Sequence, residues 1–241
     1  MKLRSAEAQA YPDKKSYSPK VSGHEYVTKF VELNIGLFIC AIGMYMTVQA
    51  NVGLAPWMAL NVGLENLTGI GYGLWNNIIG IVLIFVDFAL GEKIGFGTFG
   101  DCLLIGSYVQ IMDFFGLFPV FHSFWIGIVI MLAGILIQDV ACFYIMDSAF
   151  GIGPRDSLMV ALARRLPKLS VGQVRILIEA SALLIGWIMG AKVGLGTVIY
   201  MIGVGTVLDL VFALYKFDAR RTHNEGFIET IRNIAALRGK S

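Results

Sequence analysis

Gly151-Ile-Gly-Pro-Arg-Asp-Ser-Leu-Met-Val-Ala-Leu162 opens a segment, running on to Glu179, that holds the densest charge between the two ends of the chain. The same pattern stands earlier as Gly53-Leu-Ala-Pro-Trp-Met-Ala-Leu-Asn-Val-Gly-Leu64, with Gly, Pro, Leu, Val and Leu in register. A second echo pairs Gly91-Glu-Lys-Ile-Gly-Phe-Gly-Thr98 with Gly190-Ala-Lys-Val-Gly-Leu-Gly-Thr197, in which Gly, Lys, Gly, Gly and Thr recur. Two echoes at nearly one spacing predict an internal duplication, so the fold is read as two copies of one unit.

Composition sets the class to which those copies belong. Of 241 residues, 56% are hydrophobic and only 15% charged. A soluble domain carries about a quarter charged residues. Mean hydropathy is +0.71. The apolar residues fall in runs of about twenty, the length of one bilayer crossing. The chain is therefore read as an all-α, multi-pass membrane protein. A net charge of +2 leaves no footprint for nucleic acid. Cys40, Cys102 and Cys142 are odd in number, sit in apolar runs and form no CxxC pair. They read as buried thiols packing as small hydrophobes. His24, His122 and His223 are scattered, so neither a metal-ligand set nor a cofactor is expected. Gly91–Thr98 lacks the Gly-Lys-Ser/Thr ending of a phosphate loop and reads as a turn between spans.

Residues 1–28 read as a polar, flexible tail with no apolar core for a signal peptide. A first unit, 29–120, is expected to span at about Phe30–Ala50, Tyr72–Leu90 and Phe99–Leu117. A second, 121–217, is expected to span at Phe124–Met146, Val171–Met189 and Thr197–Lys216. Each unit also holds a short apolar piece, Trp57–Leu67 or Pro154–Leu166, opened by a proline that suits a first helical turn. Neither is long enough to cross a bilayer, so both are expected as re-entrant or interfacial half-helices. Residues 218–241 form a basic tail in which Phe227, Ile231 and Ile234 share one face of an amphipathic helix. A membrane-surface helix and a frayed soluble tail are both open. Lys and Arg in the two tails and in the Arg164-Arg165…Lys168 cluster place both termini in the cytosol. Six crossings satisfy that rule and invert the second three-span unit against the first, as in many secondary transporters. Eight crossings, counting the short pieces, would give parallel repeats with the same charges inside. Six is preferred, because such short spans are poor and Arg155-Asp156 would have to open one of them.

Charges inside spans cost roughly 2.5–3.5 kcal/mol each and need a reason. Arg155 and Asp156 follow Pro154 at a helix start, where free N–H groups and a partial positive charge meet a forked guanidinium. That combination suits a carboxylate, phosphate or sulfate group. The plainer reading has Asp156 stabilising its own helix start while Arg155 touches headgroups. With six spans this site faces the cytosol. The first unit has Trp57-Met58 at these positions, so the site belongs to the second unit. Arg175 and Glu179 lie four apart on one helical face and are expected to pair, or to release one another to a solute or a proton. Asn76 lies inside the second span, and Gln49 and Asp147 occupy equivalent places in the two units. Gln110 and Asp209 are likewise equivalent, and Asp209, deep in the last span, reads as a proton relay or a bridge between helices. Asp87, Asp101 and Asp113 lie near expected span ends and read as interfacial.

The run Gly153-Pro154-Arg155-Asp156, continued by Val174-Arg175, Ile178-Glu179 and the Gly190–Thr197 turn, resembles the YczE branch of the YczE/YyaS/YitT family of bacterial membrane proteins. The likeness extends from about Phe30 to Tyr215, with Ser157 where a Gly is more usual. The resemblance implies an integral protein of the bacterial inner (cell) membrane and carries no established activity. Joined to the residue reading, it makes a transporter of a small anionic or zwitterionic solute the leading expectation, and not an enzyme. The lipid bilayer is its expected partner, and homo-oligomerisation is left open. The alternative is a non-transporting membrane protein that scaffolds or modulates a partner complex.

Overall fold

The computed structural model describes residues 23–222 and 224–238, and all regular structure among them is helical. In chain order it comprises α1 (Gly23–Gln49), α2 (Pro56–Thr68), α3 (Tyr72–Ala89) and α4 (Phe96–Gly100). A π-helical turn (Asp101–Ile105) leads into α5 (Gly106–Phe114), followed by α6 (Phe124–Asp147), α7 (Pro154–Arg165), α8 (Val171–Ile188) and α9 (Leu195–Leu214). A 3-10 turn at Ala219–Arg221 precedes α10 (Phe227–Arg238). Helices α1, α3, α6, α8 and α9 are long and apolar enough to cross a membrane. Most of the tail expected at 1–28 and all of His223 fall outside the described residues, and the chain is already helical from Gly23.

The segment expected as one span at Phe99–Leu117 differs. It is helical from Phe96 to Phe114 but changes register at Asp101–Ile105. Here Asp101 lies against another segment, its carboxyl so close over Gly153 that a Cβ there would fall 2.4 Å from it. π-turns within α-helices gather at functional sites, and this one faces the site described below.

The two short helices form at the expected residues. Pro56 and Pro154 occupy first helical positions, after Ala55 and Gly153 in extended conformation. At 1.5 Å per residue these helices are about 18–20 Å long, against about 30 Å of hydrocarbon. α2 stops at Gly69, whose left-handed backbone (φ 72°) returns its N–H to the Glu65 carbonyl.

α1 and α6 form the central pair and run antiparallel. Gly36 meets Ile145, Gly43 meets Gly134 and Gln138, and Ala50 meets Gly127. A Cβ on Gly43 would fall 2.6 Å from the Gly134 carbonyl oxygen, and one on Gly134 would fall 2.7 Å from that of Gly43. Without a hydrophobic drive between helices in lipid, such close backbone approach supplies the packing. Leu33, Leu37, Ala41 and Tyr45 of α1 share one buried cluster with Cys142, Ile145 and Met146 of α6, and Ala50 shares another with Met131 and Ile135.

Outside that pair the contacts are reciprocal. α2 packs on α8, and α7 packs on α3. The turn before α4 docks on the loop before α7: Gly97 N–H donates to Phe150 O (2.9 Å), and Thr98 Oγ1 donates to Ile152 O (2.8 Å). The turn before α9 docks on the loop before α2, with Gly196 against Val52 and Thr197 against Gly53. Gly151 takes a φ of 96°, and a Cβ on it would strike Gly95, so glycine meets both demands there.

The reciprocity breaks at one place. α8 packs along α9, where Asp209 accepts hydrogen bonds from Ser170 Oγ and from the Gly172 N–H (2.8 Å), clasping the start of α8. On the other side only Leu83 and Asp87 of α3 are buried, and Gln110 is exposed.

The tail after α9 is docked rather than frayed. Glu225 N–H donates to Ala149 O (2.7 Å), Phe227 N–H to Ile94 O (2.9 Å), and the Phe227 ring lies 4.4 Å from that of Phe96. Arg164 Nη1 donates to both carboxylate oxygens of Glu92 (2.6 and 2.8 Å), while its Nε and Nη2 donate to the carbonyls of Arg220 and Thr222. Ile228, Ile231 and Ile234 of α10 remain exposed.

Candidate functional site

The two short helices start next to each other. α2 begins beside Glu179, halfway along α8, and Gly63 further on packs against Gly186 near the end of α8. α7 begins beside Asn76 in the first turns of α3, and its last residue, Arg165, reaches the carbonyl of Leu90 just beyond the end of α3. Their N-termini therefore meet inside the bundle and their C-termini diverge. Arg155 is the join: its guanidinium lies 4.8 Å over the Trp57 ring. Roughly 15 Å of α7 separates it from the Arg164–Glu92 pair. Pro154 is buried, so α7 starts inside the bundle.

Around that join the polar side chains form one cluster. Arg155 donates to Asn76 Oδ1 (2.7 Å), which also accepts from Asn61 Nδ2 (3.2 Å). Trp57 Nε1 donates to Glu179 Oε1 (3.1 Å). Arg175 does not turn along its own helix to Glu179, as its spacing predicted. It crosses to α6, 3.2 Å from Asp139 and 3.9 Å from Asp156. The Cys142 thiol donates to the other Asp156 oxygen (3.5 Å). Cys142 is buried as expected, but Cys102 is exposed and Cys40 half-buried. Among the described residues, one oxygen each of Asp139, Glu179, Asp87 and Asn61 is buried without a hydrogen-bond partner.

Of the residues singled out in the sequence, Arg155, Asp156, Arg175, Glu179 and Asn76 come together here. Asp209 is elsewhere, as the clasp on α8, which is the helix-bridging alternative. Gln49 lies at the far end of α1, donating to Asp113 (3.0 Å). Asp147 is exposed at the end of α6, and Gln110 lines a shallow groove with Ser107, Ile111, Phe114 and Phe115. Asp139, Trp57 and Asn61 belong to the cluster as well, beyond the residues to which the sequence points. The Gln138-Asp139 pair inside an apolar run was the available signal for the first. Asp101 and Asp87, read as interfacial, instead lie against Gly153 and buried between α3 and its neighbours.

Chemically, two helix N-termini and an aromatic-backed guanidinium converge, which favours an anionic group. A second guanidinium is already balanced by carboxylates. The arrangement has both signs in reach of one small molecule.

A profile of a family of unknown function, DUF6198, matches residues 27–212. An uncharacterized protein of Haemophilus influenzae is 30% identical over 177 residues, 73% of this chain and 80% of that protein. The uncharacterized membrane protein YczE of Bacillus subtilis is 27% identical over 186 residues, 76% of this chain and 85% of its own. The uncharacterized protein YyaS of the same organism is 24% identical over 208 residues, 83% of this chain and 100% of its own. No solved structure matches the chain. The resemblance carried by the Gly153–Asp156 run is thus borne out in the YczE and YyaS relatives, one of which is named a membrane protein.

Proposed function

From a chain that belongs to the family of unknown function DUF6198, we propose a bacterial inner-membrane transporter, not an enzyme, that carries a small anionic or zwitterionic solute. Its membrane part consists of two inverted three-span repeats, with the helical run 96–114 as the third span of the first. Both termini are cytosolic. The observation that carries the reading is the meeting of two proline-started half-helices, N-terminus to N-terminus, at Arg155 and Trp57. In secondary transporters of inverted-repeat design, broken helices point their N-termini at anionic substrate groups near mid-membrane. The antiparallel α1–α6 pair and the crosswise docking of the two Gly-x-Gly-Thr turns support the inversion.

In this reading the anionic group of the solute lies between Arg155 and the first N–H groups of α2 and α7. The Trp57 ring lies under the guanidinium, and Asn76 fixes one arm of the fork. A cationic group on the same solute would face the Glu179 and Asp139 carboxylates.

The test is reconstitution of the full chain into liposomes, with uptake of a panel of small carboxylates, phosphates, sulfonates and amino acids. A thermal-shift screen of the same panel identifies binders first. The solute that binds the parent is expected to bind Arg155→Lys more weakly, because a point charge cannot replace the fork, and Arg155→Ala more weakly still. Equal binding by all three forms would remove Arg155 from the site.

A further inference from the structure

Glu179 has a place in this cluster that the anion site does not use. It lies halfway along α8 and is 7% exposed. One carboxylate oxygen, Oε1, accepts from Trp57 Nε1. The other, Oε2, is buried with no partner among the described residues. The cations on the elements packed around it are engaged elsewhere. Arg175 on its own helix turns to Asp139 of α6 and Asp156 of α7. Arg155 of α7 is over the Trp57 ring of α2 and bonded to Asn76 of α3. α9 contributes only Tyr200 within electrostatic reach. Asp139, Asp156 and Glu179, with Asp101 over Gly153, thus face two guanidiniums; both lie within electrostatic reach of Glu179, but among the described residues neither forms a salt bridge or hydrogen bond with it. A buried carboxylate oxygen left in this way must be met by a proton or by an arriving donor.

We propose that Glu179 is an exchangeable proton site inside the membrane, linked through Trp57 to the group on which the solute anion would bind. Proton binding forms one O–H bond at Oε2, involves no electron transfer, and raises the net charge of the cluster by one. That change favours an anion at Arg155. Reciprocally, a bound anion favours the proton on Glu179, since linkage between two ligands acts equally in both directions. Trp57 is the mechanical part of the link, because one face of the ring carries Arg155 while its N–H holds Glu179. It belongs to α2 and Glu179 to α8, so the proton also bears on the contact between the two halves of the chain.

The proton site stands on the Glu179 geometry alone, whereas the linkage to a solute rests on the transport reading above. The experiment therefore uses no solute. The full chain in nanodiscs is titrated by pH-difference infrared spectroscopy in the carboxylic-acid carbonyl region, in H₂O and D₂O. As pH falls, the parent is expected to gain a deuterium-sensitive band. Glu179→Gln is expected to lose it, and Glu179→Asp to keep a band that titrates at a displaced pH. In a protein carrying Trp75→Phe, Trp125→Phe and Trp187→Phe, the emission of Trp57 is expected to follow the same titration, and Glu179→Gln to abolish that dependence. Should the Gln variant not fold, the displaced titration of the Asp variant decides the point. A band unchanged in the variants overturns the proposal, as does a Trp57 signal whose pH dependence survives Glu179→Gln. So does a parent signal that follows sodium at fixed pH and ignores pH at fixed sodium.

Discussion

Arg175 stands 3.2 Å from Asp139, which is wholly buried, and 3.9 Å from Asp156. Removing one member of a buried ion pair leaves the other charged and unanswered, at about 3–5 kcal/mol. Arg175→Met and Asp139→Leu are each expected to lose that much stability in detergent melting or mixed-micelle unfolding. The double variant Arg175→Met/Asp139→Leu is expected to lose clearly less than the sum, since apolar replacement of a whole buried pair is often neutral. Additive losses would show that the two side chains do not depend on each other. The same residue marks the limit of spacing as a guide. Four residues put Arg175 and Glu179 on one face, but a long guanidinium can choose between its own helix and the next, and the carboxylate of α6 was the nearer. Arg155 was legible because Pro154 sets a helix start and the position two residues in has a known electrostatic character. Trp57 was not, because its share in the site depends on the first unit lying against the second.

At the level of elements, small residues set how closely the central helices approach. A Cβ on Gly43 would fall 2.6 Å from the Gly134 carbonyl oxygen and 2.8 Å from the Gln138 nitrogen, both backbone atoms that cannot step aside. Gly43→Ala is expected to push α1 and α6 apart and to cost about 1–3 kcal/mol. Gly80 on α3 is the control: a Cβ there meets nothing within 4 Å. Gly80→Ala is expected to be neutral or to stabilise by about 0.5–1 kcal/mol through helix propensity. Unfolding of both variants in mixed micelles measures the contrast, and equal effects would refute the packing argument. The two short helices were readable from a proline and a count of residues, which are local facts. The π-turn at Asp101–Ile105 was not, since a register change inside an apolar run answers to what the helix packs against. Here that is Gly153, more than forty residues further along the chain. The docked tail was equally out of reach, because Glu225 and Phe227 bond to carbonyls at Ala149 and Ile94 that carry no side-chain signal.

For the molecule as a whole, positive charge alone leaves two topologies open. Both place the tails and Arg164-Arg165 in the cytosol. They differ in where the turns at 91–95 and 118–123 lie. With six crossings, the short helices begin inside the bundle and return to the face they came from, so Lys93 is cytosolic and His122 external. With eight, each short helix crosses, and the two sides exchange. The distance along α7 argues for the first. Twelve residues reach about 18 Å, and they start at the buried Pro154, with Arg155 half-buried beside side chains of α2 and α3. Both reporters are exposed, so labelling does not depend on unfolding. In a background with Cys40, Cys102 and Cys142 replaced, Lys93→Cys is expected to react with a membrane-impermeant maleimide only after the cells are opened. His122→Cys is expected to react in intact cells whose outer barrier is permeable to the reagent. The reverse pattern would establish eight crossings. It would make the two copies parallel, and it would leave the antiparallel α1–α6 pair without an explanation, because parallel copies carry their first helices in the same direction.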